Sequence, residues 1–423
     1  MDHFAYQSGT LHAEGVSIAA IAQAVGTPFY CYSTATLLRH LAVFRDGLAA
    51  LNPRICYAAK ANSNRAVLAT LAQAGAGCDV VSEGEIRLAL ASGMRADQIV
   101  FSGVGKTRAE MQYALSQAIF QFNVESLPEL ELLNAVAGDM GVRAPVALRV
   151  NPDVVPHTHA KISTGQKESK FGIAWNDARD FLRRADAMPH VHLRGVSVHI
   201  GSQLTSLEPF RLAFTRVREL VAEMRASGID LRVIDLGGGL GIPYDTDAAS
   251  PPLPTAYGTM VQEVFAGFDA EYVFEPGRLI VGNAGVLIAQ VIYEKESAGR
   301  RFVIVDAAMN DLLRPSLYNA HHDIIPVIES QHIATPADIV GPVCETSDIF
   351  ASGRLLPPLD CGDLVAFRSA GAYGAVMSGT YNARPLVPEV LVNGTNWAVV
   401  RERPAIETLL SRDQIPEWLV TKS

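Results

Sequence analysis

The chain has 423 residues, 49% of them hydrophobic and 19% charged, with a formal net charge of −9. That composition supports a sizeable core and two or three domains, excludes a largely disordered chain, and, with no basic run, argues against nucleic acid or an anionic membrane as the main partner. Five cysteines (Cys31, Cys56, Cys78, Cys344, Cys361) contain no C-x-x-C pair, so neither a disulfide framework nor a zinc knuckle is expected and a reduced, cytoplasmic setting fits. The start, Met1-Asp2-His3-Phe4, lacks a basic region before an apolar stretch. The longest apolar window, near 279–293, is broken by Gly282, Asn283 and Gly285, so no bilayer span is expected.

Eight short apolar runs follow one another at 55–59, 78–82, 99–102, 121–124, 146–150, 196–200, 233–236 and 272–274. Helical periodicity fills most of the intervals, as at 65–74, 84–91, 108–118 and 127–136, the last with Pro128 in its tolerant first turn. Strand and helix repeated eight times predict an α/β fold, a (β/α)8 TIM-type barrel, with an open doubly wound sheet as the alternative. After about 280 the runs read as strands without long helices, at 301–305, 363–367 and 389–392. Asn393-Gly394 predicts a hairpin between 390–392 and 397–400, and a short helix is expected near 406–410. The expected division is a barrel over 33–275 and a second, mostly β domain, sandwich-like or barrel-like, made of 1–32 plus 276–423.

Barrel chemistry sits where strands end. The polar residues there are Lys60, Asp79, Ser102 to Lys106, Asn123 to Glu125, Arg149 to Asn151, His199 to Ser202, Gly237 to Gly241, and Glu275 to Arg278. Lys60 closes the first run; in a partly dry mouth its amine would be available as a nucleophile, against the plainer reading of a surface lysine. Gly237-Gly238-Gly239-Leu240-Gly241 follows the seventh run, where bare glycines let backbone N–H groups approach a phosphate, or only make a tight turn. Glu275-Pro276-Gly277-Arg278 closes the eighth: an acid beside a ring nitrogen would keep it protonated, or Glu275 and Arg278 form a structural ion pair. His199 could stack on an aromatic ring or be a core histidine. Gly103-Val104-Gly105-Lys106-Thr107 imitates a phosphate loop, but Val100 stands where such a loop needs its first glycine. His157 with His159, and His321-His322-Asp323, lack metal-site spacing, so no metal is expected.

Taken together the motifs resemble pyridoxal-phosphate enzymes of the alanine racemase-like fold, the group IV decarboxylases, and among them the diaminopimelate decarboxylase family. The carrying residues run along nearly the whole chain: Y-A-x-K-A-N at Lys60, the segment from Ile162-Ser163-Thr164-Gly165 to Ser169-Lys170-Phe171-Gly172, H-I-G-S at His199, G-G-G-L-G, E-P-G-R, the stretch from Met309-Asn310-Asp311 to Tyr318, Cys344-Glu345-Thr346-Ser347-Asp348, and Ala370-Gly371-Ala372-Tyr373-Gly374. Two departures are Thr346, where serine is more usual, and Leu386, where arginine is.

The resemblance implies that Lys60 carries pyridoxal 5'-phosphate covalently, with Asp79 nearby. His199 and Tyr373 would contact the cofactor, and Ser202, Gly238, Gly239, Pro276, Gly277 and Arg278 would lie around it, with Glu275 on the ring nitrogen. Arg278, Arg314, Tyr318, Glu345 and Tyr373 would bind substrate. Cys344 would return a proton, from the partner subunit of a homodimer with shared sites. Arg314 and Glu345 could hold a distal carboxylate and a distal ammonium, which favours meso-diaminopimelate, giving L-lysine and CO₂. Open alternatives are a related decarboxylase of ornithine, arginine or a carboxylated polyamine, an amino-acid racemase, and a catalytically silent barrel.

Overall fold

Eight parallel strands close into a ring within residues 34–284, one of two compact units. The structure, a computed structural model, describes residues 2–154, 170–245 and 250–419. His157, His159 and the motif residues 162–169 lie outside the described residues.

In this unit α1 (Thr34–Gly47) comes first. Then β1 (Arg54–Ala58), α2 (Arg65–Gln73), β2 (Gly77–Val80), α3 (Glu83–Ala91), β3 (Ile99–Phe101), α4 (Arg108–Ser116), β4 (Gln121–Val124) and α5 (Leu127–Asp139) alternate. They are followed by β5 (Ala144–Asn151), α6 (Ala178–Ala187), β6 (Val191–Ser197), α7 (Glu208–Ala226), β7 (Val233–Asp235), α8 (Pro254–Val264) and β8 (Glu271–Phe274). Each strand pairs in parallel with the next, and β8 returns to β1 through Val273↔Arg54 and Phe274↔Ile55. That last pairing makes the sheet a barrel and removes the open-sheet alternative. Sequence-local chemistry starts several helices: the side chains of Asn64, Ser82 and Ser126 cap α2, α3 and α5, and Thr107 with Glu110 forms a capping box on α4. α1 occupies the place of a helix after β8, with Phe44 stacked 6.2 Å from Tyr257 and edge-on to Phe274 at 6.0 Å.

The barrel interior follows from strand alternation. Cys56, Val100, Phe120, Val233 and Val273 form a buried apolar cluster. Two residues further along β7 and β8, the same inward face carries Asp235 and Glu275. Gln121 and Asn123 share one face of β4 and are also buried. An apolar layer is thus followed by a polar one toward the C-terminal ends of the strands.

Two expectations shift. The sixth strand starts at Val191, five residues before the apolar run at 196, because its first half carries charge at the opposite rim. There Arg54 and Arg194 both pair with Glu271, at 2.7 and 3.4 Å, and both cover the Phe120 ring, at 3.9 and 4.1 Å. In the other unit, 1–33 with 285–423, the hairpin forms between Glu389–Asn393 and Asn396–Arg401, but its loop is Gly394-Thr395. Gly394 holds φ +63° at the first loop position, where a type II′ turn takes glycine.

That unit is built on a nine-stranded sheet with the path Ile349–Leu356, Thr335–Val340, Arg300–Val305, Gly285–Ser297, Phe29–Ser33, Glu389–Asn393, Asn396–Arg401; Leu364–Phe367 pairs with Gly285–Ser297 and with Ile324–Pro326. A three-stranded sheet begins at Phe4, and its Leu11 and Ala13 join Phe29, Ile288, Val390 and Val392 in one core. A short helix, Ile406–Leu410, lies where expected. All five cysteines are free. Among the described residues no helix is long and apolar enough to cross a membrane.

Candidate active site

Lys60 sits in a single 3₁₀ turn, Ala59–Ala61, just past the end of β1. Its Nζ donates to Asp79 Oδ2 at 2.6 Å. Asp79 is wholly buried on β2, whereas the lysine side chain is 38% exposed, so the amine stands at the mouth with its counter-ion inside. Asp79 Oδ1 is buried with no hydrogen-bond partner among the described residues. An orphaned carboxylate oxygen beside an amine is costly unless something else comes to meet it.

The inner layer below the mouth is a carboxyl–amide network. Asn123 Nδ2 reaches Asp235 Oδ2 at 2.9 Å, Glu275 Oε1 at 3.0 Å and Ser102 Oγ at 3.2 Å. Gln121 Nε2 holds Asn123 Oδ1 at 2.9 Å and meets Asp235 Oδ2 at 3.3 Å. Burial, then the charges of Asp235 and Asp79, push the Glu275 carboxyl well above the usual carboxylate range. Burial likewise raises Asp235, to about 6, against the donors that hold its charged form. Burial and the neighbouring carboxylates thus favour the protonated form of Glu275.

The glycine cluster is where three loops meet. A Cβ on Gly237 would stand 2.5 Å from the Val198 carbonyl, one on Gly238 2.3 Å from that of Glu275, and one on Gly239 2.4 Å from that of Gly201. Gly238 N–H donates to His199 Nδ1 at 3.2 Å. That nitrogen is therefore an acceptor, and burial plus the nearby charges of Arg149 and Lys60 lower the imidazole pKa well below its ordinary value. His199 is a neutral ring. Pro276 O accepts the Ala58 amide at 3.1 Å, and a Cβ on Gly277 would meet those of Ala58 and Ala61 at 3.1 Å, so the E-P-G-R turn lies flush against the Lys60 turn. Arg278 opens the short helix Arg278–Val281; its Nη2 and Nε donate to Ser202 Oγ at 3.0 and 3.3 Å, and its Nη1 donates to Tyr244.

The structure thus gathers Lys60, Asp79, His199, Ser202, Gly238, Gly239, Glu275, Pro276, Gly277 and Arg278 at one end of the barrel. Asp235, Gln121 and Tyr244 were given no role from sequence, and Asn123 only a place at a strand end. The one signal for the buried trio was polar residues in step with apolar inward positions. The structural-ion-pair reading of Glu275 with Arg278 is not what forms, since Arg278 turns to Ser202 and Tyr244.

The phosphate-loop imitation is structural. Lys106 Nζ donates to Gly103 O, Asn123 O and Glu129 Oε1 at 2.6, 2.8 and 2.7 Å, which fills all three of its N–H positions. Burial keeps Glu129 above the usual range even with this partner. Glu125 is similarly occupied by Arg149 at 3.0 Å and by the amides of Gly103 and Gly172. Lys106→Met would strand the Glu129 charge, and we expect it to cost about 3–5 kcal/mol. Urea unfolding followed by fluorescence should show the midpoint fall; an unchanged midpoint would contradict this.

The remaining residues belong to the other unit. Asp348 closes its own loop there, its carboxyl accepting from Val343 N and Met309 N at 2.7 Å each, and Ser316 Oγ donates to Ser347 O at 2.6 Å. The Met309–Tyr318 and Cys344–Asp348 motifs are therefore neighbours. Cys344 and Glu345 are exposed, with Tyr381 donating to Glu345 Oε1, and Tyr373 holds a left-handed φ of +56°. Arg314 is buried and donates to His322 Nε2 at 2.9 Å, while His322 Nδ1 faces Arg368 O at 2.8 Å. Both nitrogens of His322 are thus used. Tyr318 ends the helix Arg314–Tyr318.

Residues 34–282 match the family model described as "Pyridoxal-dependent decarboxylase, pyridoxal binding domain", the class that a barrel with this lysine and these acids defines. Diaminopimelate decarboxylase of Pseudomonas fluorescens is 50% identical over 416 residues, 98% of this chain and 99% of that one. The enzyme of that name from Zymomonas mobilis is 48% identical over 419 residues, with the same coverage. Among solved structures, diaminopimelate decarboxylase from Helicobacter pylori complexed with L-lysine is 40% identical with a TM-score of 0.90, covering 93% of this chain and 98% of that one. The M. jannaschii enzyme in co-complex with L-lysine is 35% identical with a TM-score of 0.95, covering 99% of each. The chain belongs to the diaminopimelate decarboxylase family of pyridoxal-dependent decarboxylases.

Proposed function

We propose that the chain decarboxylates meso-2,6-diaminopimelate to L-lysine and CO₂, the last step of lysine biosynthesis, in the cytoplasm. The observation that carries this reading is the Lys60–Asp79 pair at the mouth of a barrel whose inner layer holds Glu275, a buried acid hydrogen bonded to Asn123 and raised well above the usual carboxylate range by its burial. Pyridoxal 5'-phosphate fits these residues: an amine to attach it, an orphaned carboxylate oxygen at Asp79, and a buried acid suited to a ring nitrogen. When bound, it supplies an electron sink for the charge left when CO₂ departs.

The chain's own groups do the rest. Lys60 would hold the cofactor through its amine, which Asp79 steadies. Glu275 would hold a proton at its carboxyl toward the ring nitrogen. His199, a neutral ring pinned by Gly238, offers a flat face without adding positive charge. The Gly237–Gly241 loop, Ser202 and Arg278 are the group for the phosphate. Arg314, Tyr318, Glu345 and Tyr373 would grip the substrate and choose which bond is held for cleavage. Cys344 would return a proton to Cα, contributed across a homodimer whose two sites each draw on both chains.

The test is to load the purified protein and measure lysine and CO₂ from meso-diaminopimelate, with ornithine and arginine beside it. Lysine from diaminopimelate alone is expected. Arg314→Ala should lower kcat/KM for diaminopimelate by about 10²-fold or more through the lost carboxylate contact. Unchanged kinetics, or turnover of ornithine instead, would overturn the substrate assignment and leave the cofactor reading standing.

A further inference from the structure

Asp235 has no part in the reading above, yet three donors anchor it inside the barrel. It is wholly buried at the end of β7. Its carboxyl accepts three N–H groups: Asn123 Nδ2 at 2.9 Å, Gln121 Nε2 at 3.3 Å and its own loop's Gly237 N at 3.0 Å. These three donors favour the anion and offset part of the burial that raises the Asp235 carboxyl to about 6. It hydrogen bonds to the Glu275 carboxyl, so one proton lies between the two acids, and the Asn123 amide bridges them from the far side of the ring. The other titratable groups facing this pair are Asp79 and Lys60 at the mouth, Cys56 on β1 and Tyr257 on α8. Lys60 supplies the one positive charge among them. Two buried acids in contact are expensive to keep as a mere scaffold, since an apolar pair would fill the space at lower cost.

We propose that Asp235 is a positioning residue for the reaction: its charge, fixed by Asn123, Gln121 and Gly237, keeps one proton on the couple formed by Glu275 and the cofactor's ring nitrogen to more alkaline pH than Glu275 alone would. This rests on the reading that Glu275 faces that nitrogen. The physics is Coulombic. An anion one hydrogen bond away favours every protonated state of the couple, and in a dry site the effect is undiluted by solvent. Removing the charge must therefore lower the pH at which the couple loses its proton.

The experiment is an absorbance titration of the full-length holoenzyme across the alkaline range, wild type against Asp235→Asn, which retains the shape but not the charge. The alkaline spectral transition of the bound cofactor should move down by about one pH unit or more, and the alkaline limb of kcat/KM should move with it. Asp235→Ser, a second uncharged variant, should do the same. Titrations that superimpose on wild type overturn the proposal. So does a pair of variants that remain folded by circular dichroism but hold no cofactor, because Asp235 would then serve binding alone. Failure of the parent reading is seen separately in Glu275→Gln: if that variant leaves the alkaline transition where wild type has it, Glu275 does not face the nitrogen and both readings fall.

Discussion

Lys60→Ala is expected to abolish covalent cofactor capture and to lower lysine production by at least ~10³-fold. Borohydride treatment should label wild type and leave the variant unlabelled. The size of the effect follows from the geometry: the amine is hydrogen bonded to the buried Asp79, and among the described residues the other lysine of the barrel's polar layer, Lys106, is locked in three hydrogen bonds. A further arm tests the shared site. Mixed and re-associated with Cys344→Ala, the inactive Lys60→Ala chain should recover activity to about a quarter of wild type, because half the dimers are mixed and each has one intact site of two. No recovery would mean that each chain builds its site alone. Retained activity in Lys60→Ala by itself would remove the lysine from the chemistry.

Glu275→Gln is the second large effect. It preserves the side chain's volume but has no proton to share with a ring nitrogen, and kcat should fall about 10²- to 10³-fold with the cofactor still attached at Lys60. Stability should move the other way. Glu275 holds its proton more tightly in the folded barrel than in the unfolded chain, so its contribution is intact below the ordinary value of 4.5 and declines as pH rises past it. Asp235 behaves alike between 3.8 and about 6. The cofactor-free glutamine variant should therefore gain on cofactor-free wild type as pH climbs above 4.5, read as the difference in urea midpoint at several pH values. A variant that loses stability and keeps kcat would reverse the assignment, making Glu275 a structural residue.

The contrast between these two residues shows how far the chain could be read in advance. The barrel was legible because most strands are short apolar runs and several helices carry their own start signal, such as Ser82 or the Thr107–Glu110 box. Where a strand broke that habit, at the polar His192 and Arg194 of β6, its beginning was missed, since Arg194 serves an ion-pair cluster with Glu271 and Arg54 that only ring closure assembles. The same holds at the mouth. Lys60, His199 and the glycines stand out locally, by motif. Asp235 does not: it reads as the polar end of a strand before a turn. Its meaning depends on Asn123, 112 positions away, and on Glu275 from the next strand. Contacts of that kind are invisible to any window of neighbouring residues. The motif of Lys106 failed in the opposite sense, since a phosphate-loop-like string was spent on a buried ion pair.

The closure of β8 onto β1 also sets a clock on biosynthesis. Lys60 and Asp79 leave the ribosome early, while Glu275 follows Lys60 by 215 positions (275 − 60). At about 5–20 residues per second, that is a gap of roughly 10–40 s in which a reactive amine exists without the acid that completes its site. The ring cannot shut until Val273 and Phe274 arrive to pair with Arg54 and Ile55. A nascent chain stalled before that point has a lysine but no enclosed chamber, so capture of the vitamin-derived cofactor would report that translation of the barrel has finished.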